Sequence, residues 1–472
     1  MEILSIYNTL ARSNQELVAA EGRPFGVYCC GPTVYNYAHL GNFRTFILQD
    51  ILVRVLKVAG YDVKFVRNLT DVDDKTIKNS LALGMKLKEF TGEWENVFRD
   101  DCQRLNLLRP DVEPRATEHI KEQIALIEKL IAGGHAYVTQ DGSVYYDVSS
   151  FKDYGKLSGV NVSDLKTQSS NSAGERNEAD EYVRENACDF ALWKARKASD
   201  GENFWPSPWG DGRPGWHIEC SAMSMLYLGN TIDLHCGGVD LCFPHHENEI
   251  AQSEAATGEI FSRYWFHTAH LLMDGEKMSK SLGNIFALND IMAKGFSPIV
   301  IRYVLASCHY RQQLNFTVDG LRSATGAIHR IISTLSRLKT MAGCADITSV
   351  PFVGWKYFKE AWEALKTDLN IPQCLGNIFS VLNELDLESL AVDQSKYCLA
   401  EIYRLLYALG LDNLSDFVDA NVPDDLRIMA EERWTAKLGK NFALADTLRL
   451  KINESGWEIN DSKTYYTVFK SL

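Results

Sequence analysis

The chain reads as an α/β protein with a parallel sheet, followed by a helical region and a short tail. Three observations say so. Residues 25–68 run strand, helix, strand; residues 321–419 carry helical periodicity; and residues 421–472 differ in charge from what precedes them. In the first unit, Phe25–Cys29 is a short apolar run and Gly31-Pro32-Thr33 a turn. Phe43, Ile47, Ile51 and Val55 then recur every fourth residue, as on one face of a helix. Gly60 stands where helices commonly stop. Val63 and Phe65 alternate within Asp62–Asn68, a second strand. Such a strand–helix–strand unit favours parallel neighbours. It lacks both G-x-G-x-x-G and the P-loop G-K-[ST], so any nucleotide must be held by other means.

Further along, residues 117–132 suit a helix. The polar stretch 161–186 suits a mobile surface segment. Trp205–Cys220, rich in Gly, Pro and Trp, reads as loop, and Thr231–Leu234 as a strand. Pro244 is placed to open a helix running toward Gly258. Ile328, Ile331, Leu335 and Leu338, then Leu399, Tyr403, Leu406 and Leu409, predict a helical bundle. The tail reads as one amphipathic helix, about Glu431–Glu454, before an irregular aromatic end. There is no internal repeat.

Composition narrows the class. A 472-residue chain suggests three or four domains, and 46% hydrophobic with 24% charged residues suits a folded protein. No apolar run reaches the length of a membrane helix. Met1–Gln15 lacks a basic start followed by an apolar stretch, so no signal peptide is expected. Eleven cysteines, an odd number spread over a long chain, point to a reducing cytoplasm, with some thiols free to ligate metal. A net charge of −13 argues against nucleic acid if taken globally. The charge is uneven, however: residues 421–472 carry eight basic and eight acidic side chains. Within them Arg433, Lys437 and Lys440 share a helical face, either a phosphate-facing stripe or a solvated surface.

Four groups could carry chemistry. His245 and Glu249 lie four apart, so a helix aligns them as two metal ligands or as a surface pair. His246 and Glu247 are further candidates beside them. Cys30 follows the first strand, at the edge where α/β sheets place ligands, and Cys220 ends Trp216–Cys220. Cys29, Cys236 and Cys242 are rival thiols, and no C-x-x-C pair decides among them. Lys277-Met278-Ser279-Lys280-Ser281, between Gly275 and Gly283, offers two cations and two hydroxyls to a phosphate chain. His39-Leu40-Gly41-Asn42 stands where the first helix begins, and helix N-termini attract phosphate. Gly41 would admit a nucleotide close to the backbone.

Taken in order, these blocks resemble one family. Tyr28–Tyr35, His39–Asn42, Asn68–Lys75, Trp216–Ser221, Phe243–Glu249, Lys277–Ser281 and Tyr310-Arg311 before Leu314-Asn315-Phe316 are similar to the cysteinyl-tRNA synthetases of bacterial type, which are class I aminoacyl-tRNA synthetases. The likeness covers nearly the whole chain. It implies a Rossmann-type catalytic domain in two halves, 1–115 and 205–265, split by an inserted domain at 116–204. A stem-contact segment (266–320), a helical bundle (321–420) and a C-terminal anticodon-binding domain (421–472) would follow.

The resemblance also implies roles. Cys30, Cys220, His245 and Glu249 match the family's ligands for one Zn²⁺ per chain, which binds the sulfur of the substrate cysteine. Zinc favours a thiolate strongly over a serine hydroxyl, so discrimination needs no editing. Four protein ligands normally close a zinc site. The metal must therefore accept a fifth ligand or release one, and Glu249 is the candidate for release. Thr70, Trp216, His235 and Asp240 would surround the amino acid, with Asp240 toward its ammonium group. His39, Gly41, Asn42, Lys277, Lys280 and Ser281 would hold ATP with Mg²⁺. Asn42 departs from the family's usual His and cannot become cationic. Lys437, Phe442, Asp446 and Asp461 fall at anticodon-contact positions, with Lys and Phe where the family has Arg and Trp. The implied protein is a cytoplasmic monomer that joins L-cysteine to tRNA(Cys). Two alternatives are a ligase passing cysteine to an amino sugar, as in mycothiol synthesis, and an inactive RNA-binding zinc protein.

Overall fold

The computed structural model describes residues 1–161, 189–278, 283–344, 346–386, 389–419, 422–461 and 465–471. Its centre is a four-stranded parallel sheet of Rossmann type. Strands β1 (Phe25–Cys29) and β2 (Val63–Arg67) flank helix α1 (Leu40–Val58) in the chain. After an insertion come helix α2 (Trp216–Leu228), strand β3 (Ile232–Gly238), helix α3 (Glu247–Thr257) and strand β4 (Ser262–Thr268). The spatial order is β4-β3-β1-β2, all parallel. The chain leaves β1 toward β2 on one side and returns to β3 on the other. A crevice therefore opens between the carboxyl ends of β1 and β3, the usual ligand position in such sheets.

Every residue of β1 is buried, as suits a central strand covered on both faces. The every-fourth-residue pattern of α1 is its buried face: Phe43, Ile47, Ile51 and Val55 are all inside. Gly60, at φ 90°, follows its end. The crevice depends on one close approach. A Cβ on Gly31 would lie 1.6 Å from the carbonyl oxygen of Asn68, so the turns after β1 and β2 touch only because residue 31 has no side chain.

The insertion forms its own antiparallel sheet from Ala136–Val138, Val144–Tyr146, Phe190–Ala195 and Gly212–Pro214. The inserted sheet thus extends past residue 204. All but the first residue of the polar stretch 161–186 lies outside the described residues. A bundle follows, with α4 (Val318–Ala342) packed on α5 (Val392–Leu409). Ile328, Ile331, Leu335 and Leu338 are buried in α4, and Leu399, Leu406 and Leu409 in α5. Among the described residues no helix is long and apolar enough to cross a membrane.

Four local expectations are corrected. Trp216–Cys220 is not loop but the start of α2. That helix buries Ile218, Cys220, Ala222 and Met223 on more than one face, which erases the 3.6-residue period. The strand expected at Thr231–Leu234 runs on to Gly238. Pro244 does not open the regular helix: Phe243 is extended (φ −138°, ψ 132°), Cys242–His246 forms a wider turn, and α3 begins at Glu247. The tail has two helices, α6 (Asp424–Leu438) and α7 (Phe442–Glu454), then a hairpin of Trp457–Asp461 with Tyr466–Lys470. Lys440, at φ 59°, breaks the helix, and the Asn441 side chain caps α7 by accepting from the Leu444 N–H.

Gly31→Ala is expected to force the turns after β1 and β2 apart and to cost about 2–3 kcal/mol, as overpacking does. Gly92→Ala, in a helix with nothing within 4 Å of the new Cβ, should be neutral or slightly stabilising. Urea unfolding of the two variants checks the contrast.

Candidate metal and nucleotide site

The carboxyl end of β1 delivers Cys30, buried at 6% exposure. Helix α2 contributes Cys220, the turn before α3 contributes His245, and α3 contributes Glu249. Their ligand atoms all lie within 4.8 Å of one another, and all four side chains are buried. Cys30 Sγ is 4.0 Å from Cys220 Sγ and 3.9 Å from Glu249 Oε1, and His245 Nε2 is 3.0 Å from that same oxygen. Two soft thiols, an imidazole and a carboxylate at these separations fit a tetrahedral zinc ion, whose ligands sit about 2.0–2.3 Å from the metal. Of the rivals, Cys29 and Cys236 face each other across the β1–β3 pairing, and neither they nor Cys242 belongs to a ligand cluster among the described residues. All described cysteines are free thiols.

Three neighbours orient these donors: His217, which sequence reasoning leaves unassigned, and Trp216 and His235, which it places at the amino acid. His217 Nδ1 lies 2.9 Å from His245 Nδ1, which leaves His245 Nε2 to face the cluster. Trp216 stacks on the His245 ring at 4.3 Å. His235 Nε2 is 2.8 Å from Glu249 Oε2, so one carboxylate oxygen is anchored while the other faces the thiols. Burial opposes ionising Glu249, yet His235 and His245 hold its carboxyl down at about 2. Burial likewise opposes charging His245, but the Glu249 carboxylate and Cys220 push it up to about 10. Hydrogen bonding from Cys30 is the main cause that brings Cys220 down to about 6. His246 makes a second set with Cys30, His235 and Glu249. Its Nε2 lies 3.4 Å from Cys30 Sγ, and its Nδ1 is 2.7 Å from His267. The Cys30–Cys220–His245–Glu249 set is favoured because it has two thiols and because both of its imidazole-side contacts, His217 and Glu249, are aligned on one ring. The only sequence signal for His217 is its place inside a quoted motif, whereas His246 is a candidate beside His245.

Cys30 also lines a cavity of about 460 Å³ shared with Thr33, His39, Gly41, Asn42, Trp216, Asp240, His270, Lys277 and Met278. A larger groove of about 820 Å³, beside Leu87 and Trp205, holds none of the metal donors. Helix α1 starts at the smaller cavity with a reciprocal cap. The Asn42 N–H donates to His39 Nδ1 at 3.1 Å, and the His39 N–H donates to Asn42 Oδ1 at 3.1 Å. Nδ1 therefore carries no proton, and the neutral ring keeps its proton on Nε2. Burial lowers the His39 pKa further, against the opposing pull of Asp240. A Cβ at Gly41 would sit 3.1 Å from the His39 ring and would push that ring by a few tenths of an ångström.

The predicted residues fall into three groups. Trp216 and Asp240, both exposed, line the cavity; Thr70 and His235, both buried, do not. The Thr70 hydroxyl instead donates to Glu219 at 3.0 Å. Lys277 reaches the cavity, whereas Lys280 and Ser281 lie outside the described residues. In the tail Phe442 and Asp446 are exposed. Arg433 binds both oxygens of Asp461 at 2.6 and 2.8 Å, and Lys437 binds the same carboxylate at 2.7 Å. The expected cationic stripe is therefore partly neutralised. Arg433, 3% exposed, ties α6 to the terminal hairpin rather than facing outward.

With zinc quantified by elemental analysis, the wild-type chain should carry one ion. Cys220→Ser should lose it, and Cys242→Ser should keep it. A Cys220→Ser protein that retained stoichiometric zinc would refute this ligand set.

Known proteins resemble this chain over most of its length. The family model for the class I (C) tRNA synthetase catalytic domain matches residues 16–326. The cysteine–tRNA ligase of Opitutus terrae is 48% identical over 475 residues, covering 98% of each chain. That of Chlamydia muridarum is 43% identical over 483 residues, covering 99% of each. Among solved structures, Mycobacterium tuberculosis methionyl-tRNA synthetase with methionyl-adenylate superposes at TM-score 0.56 and 15% identity, covering 84% of this chain and 91% of that one. The Agrobacterium radiobacter LeuRS–tRNA–LeuAMS complex gives 0.57 at 11% identity, covering 84% and 86%. The two structural likenesses bear on the fold alone.

Proposed function

Because the chain belongs to the cysteine–tRNA ligase family of class I tRNA synthetases, we propose that it activates L-cysteine with ATP and transfers the cysteinyl group to tRNA(Cys). The observation that carries this reading is the meeting of a Cys₂HisGlu donor set with a capped helix N-terminus at one cavity. A zinc ion held by Cys30, Cys220, His245 and Glu249 would supply, when bound, a soft Lewis acid that selects a thiol as its thiolate over a hydroxyl.

The chain's own groups do the rest. Trp216 and Asp240 flank the amino acid, with the Asp240 carboxylate facing its ammonium group. Thr70 and His235 act from behind, Thr70 on Glu219 and His235 on Glu249. The substrate carboxylate attacks the α-phosphorus of ATP. The bond to the bridging oxygen of the β-phosphate breaks, and pyrophosphate leaves with that electron pair. No side-chain base is needed, because the nucleophile is already an anion, so catalysis is alignment and charge stabilisation. His39 donates from Nε2 and Asn42 from Nδ2, since their acceptor atoms are occupied by each other's backbone N–H. Gly41 lets the nucleotide approach. Lys277, with Lys280 and Ser281 of the same loop, neutralises the phosphates, and Mg²⁺ accompanies ATP. In the second step a ribose hydroxyl at the tRNA 3′ end attacks the acyl carbon and AMP leaves.

In the tail, exposed Phe442 offers a ring for base stacking and Asp446 an acceptor. Lys437 and Asp461 would meet an anticodon base only by exchanging their mutual contact. The relatives match over the tail as well as the catalytic domain, which favours tRNA over a small amino-sugar acceptor.

Cysteine-dependent ATP–pyrophosphate exchange tests the first step, and serine should give none above background. Deleting residues 421–472 should leave exchange within about twofold and lower tRNA charging at least tenfold, a loss of about 1.4 kcal/mol in apparent tRNA recognition. Unchanged charging would refute the role of the tail, and absence of cysteine-dependent exchange in zinc-loaded protein would refute the activity.

A further inference from the structure

Away from the proposed catalytic cavity, a largely buried polar joint connects α1 to the far end of the bundle. Asp50 and Arg54 are each 2% exposed and Arg302 is 0% exposed. Asp50 accepts from Arg54 Nε at 2.9 Å, from Arg302 Nη2, and from the Leu108 N–H at 2.7 Å. Both arginines then reach the carbonyl end of α5. Arg54 donates to Tyr407 O at 3.2 Å and to the Asp412 carboxylate at 3.1 Å. Arg302 donates to Leu409 O at 3.1 Å. Asn106 completes the joint. Its side chain donates to Gly410 O at 3.0 Å and to Asp412 at 2.9 Å, while its own carbonyl accepts from Arg54 at 2.7 Å.

The chemistry is matched on both sides. A helix C-terminus presents unpaired carbonyls and a partial negative charge, which cations stabilise. Two guanidiniums are balanced by Asp50, Asp412 and that helix end. The backbone is shaped for it too: Gly410, at φ 67°, passes so close to Arg302 that a Cβ would lie 1.8 Å from Nη2. Directional bonds of this kind fix an angle between two bodies, which apolar packing alone would leave free to slide.

We infer that Arg54, Asn106 and Arg302 are positioning residues for tRNA: they lock the bundle, and through it the tail, at one orientation to the catalytic cavity. This rests on the proposed charging of tRNA. An RNA that touches both the tail and the cavity binds well only if the two are held at the spacing it spans, because the second contact is then intramolecular. ATP and cysteine touch only the cavity and gain nothing from the joint. An RNA hairpin carrying the acceptor stem alone gains nothing either.

Asn106→Gly is the sharpest test. Asn106 sits at φ 53°, which glycine adopts without strain, so the variant removes the side-chain bonds and spares the backbone. Asp412→Asn, at a partly exposed position, is a second variant that removes the charge partner of Arg54. Three readouts are compared with wild type: cysteine-dependent pyrophosphate exchange, charging of full-length tRNA(Cys), and charging of the acceptor-stem hairpin. In both variants exchange and hairpin charging should stay within about twofold. KM for the full tRNA should rise about five- to tenfold, the effect of losing one or two hydrogen bonds from the joint. Equal losses on the two RNAs, or no loss on either, would overturn the inference. A wild-type protein that exchanges pyrophosphate but charges neither RNA would instead overturn the proposed transfer step.

Discussion

The arrangement of the chain depends on satisfying charge buried along α1. An ionised group taken out of water is costly unless hydrogen bonds and opposite charge surround it. Helix α1 buries three such groups, Arg44, Asp50 and Arg54, among mostly apolar side chains. Their partners come from three distant stretches of chain. Arg44 donates to the carbonyls of His270 and Gln312, which ties down the segment following the sheet. Asp50 takes the Leu108 N–H, and Arg54 takes Asn106 and the end of α5. In this docking all three are satisfied by directional bonds, which constrain the arrangement more narrowly than apolar burial does.

The same helix begins at the candidate cavity, so what is anchored to α1 is referenced to it. Its first turn carries the His39–Asn42 cap, and the strand before it ends at Cys29, just ahead of Cys30. Cys30 and the His39–Asn42 cap are thus separated by a single loop, Gly31–Ala38. On the opposite side β3 brings His235 behind Glu249 and places Asp240 just past its end. The switch in strand order at β1 opens the space between them. Cys30, Cys220, His245 and Glu249 come from four separate elements and still converge, because each stands at the carboxyl edge of the sheet or on a helix packed over it.

What was legible in the sequence follows from where the signal resides. Phe25–Cys29 and the helix face Phe43–Ile47–Ile51–Val55 could be read because their burial is periodic or complete over a run. Helix α2 could not, because it is covered on several sides and its apolar residues follow no single period. The break at Lys440 was hidden because its cause, a left-handed residue with an asparagine cap after it, leaves hydrophobic periodicity almost intact. The donor set was legible only in part. His245 and Glu249 share a spacing, but Cys30 and Cys220 are 190 residues apart, and only likeness to a family linked them. The tail misled for a related reason. Arg433, Lys437 and Lys440 do share a helical spacing, yet the partner that neutralises two of them, Asp461, arrives from a hairpin that no local pattern announced.

The cap on α1 also bears on what Asn42 means where the family more often has histidine. A second histidine could carry charge to the phosphates; Asn42 cannot. The geometry shows that His39 does not carry it either, because accepting the Asn42 N–H at Nδ1 is incompatible with a doubly protonated ring. Burial acts in the same direction on its pKa. Both side chains therefore present neutral donors, fixed in place before any nucleotide arrives. In the proposed reaction, full positive charge for the phosphates then falls to the lysine loop and the metal that accompanies ATP, with the partial charge of the α1 N-terminus behind them. Neutral, preorganised donors lose little by desolvation when the cavity closes and change little with pH near neutrality. With asparagine at this position the first turn of α1 keeps a reciprocal cap with His39 and, in the proposed reaction, presents no charge of its own to the phosphates.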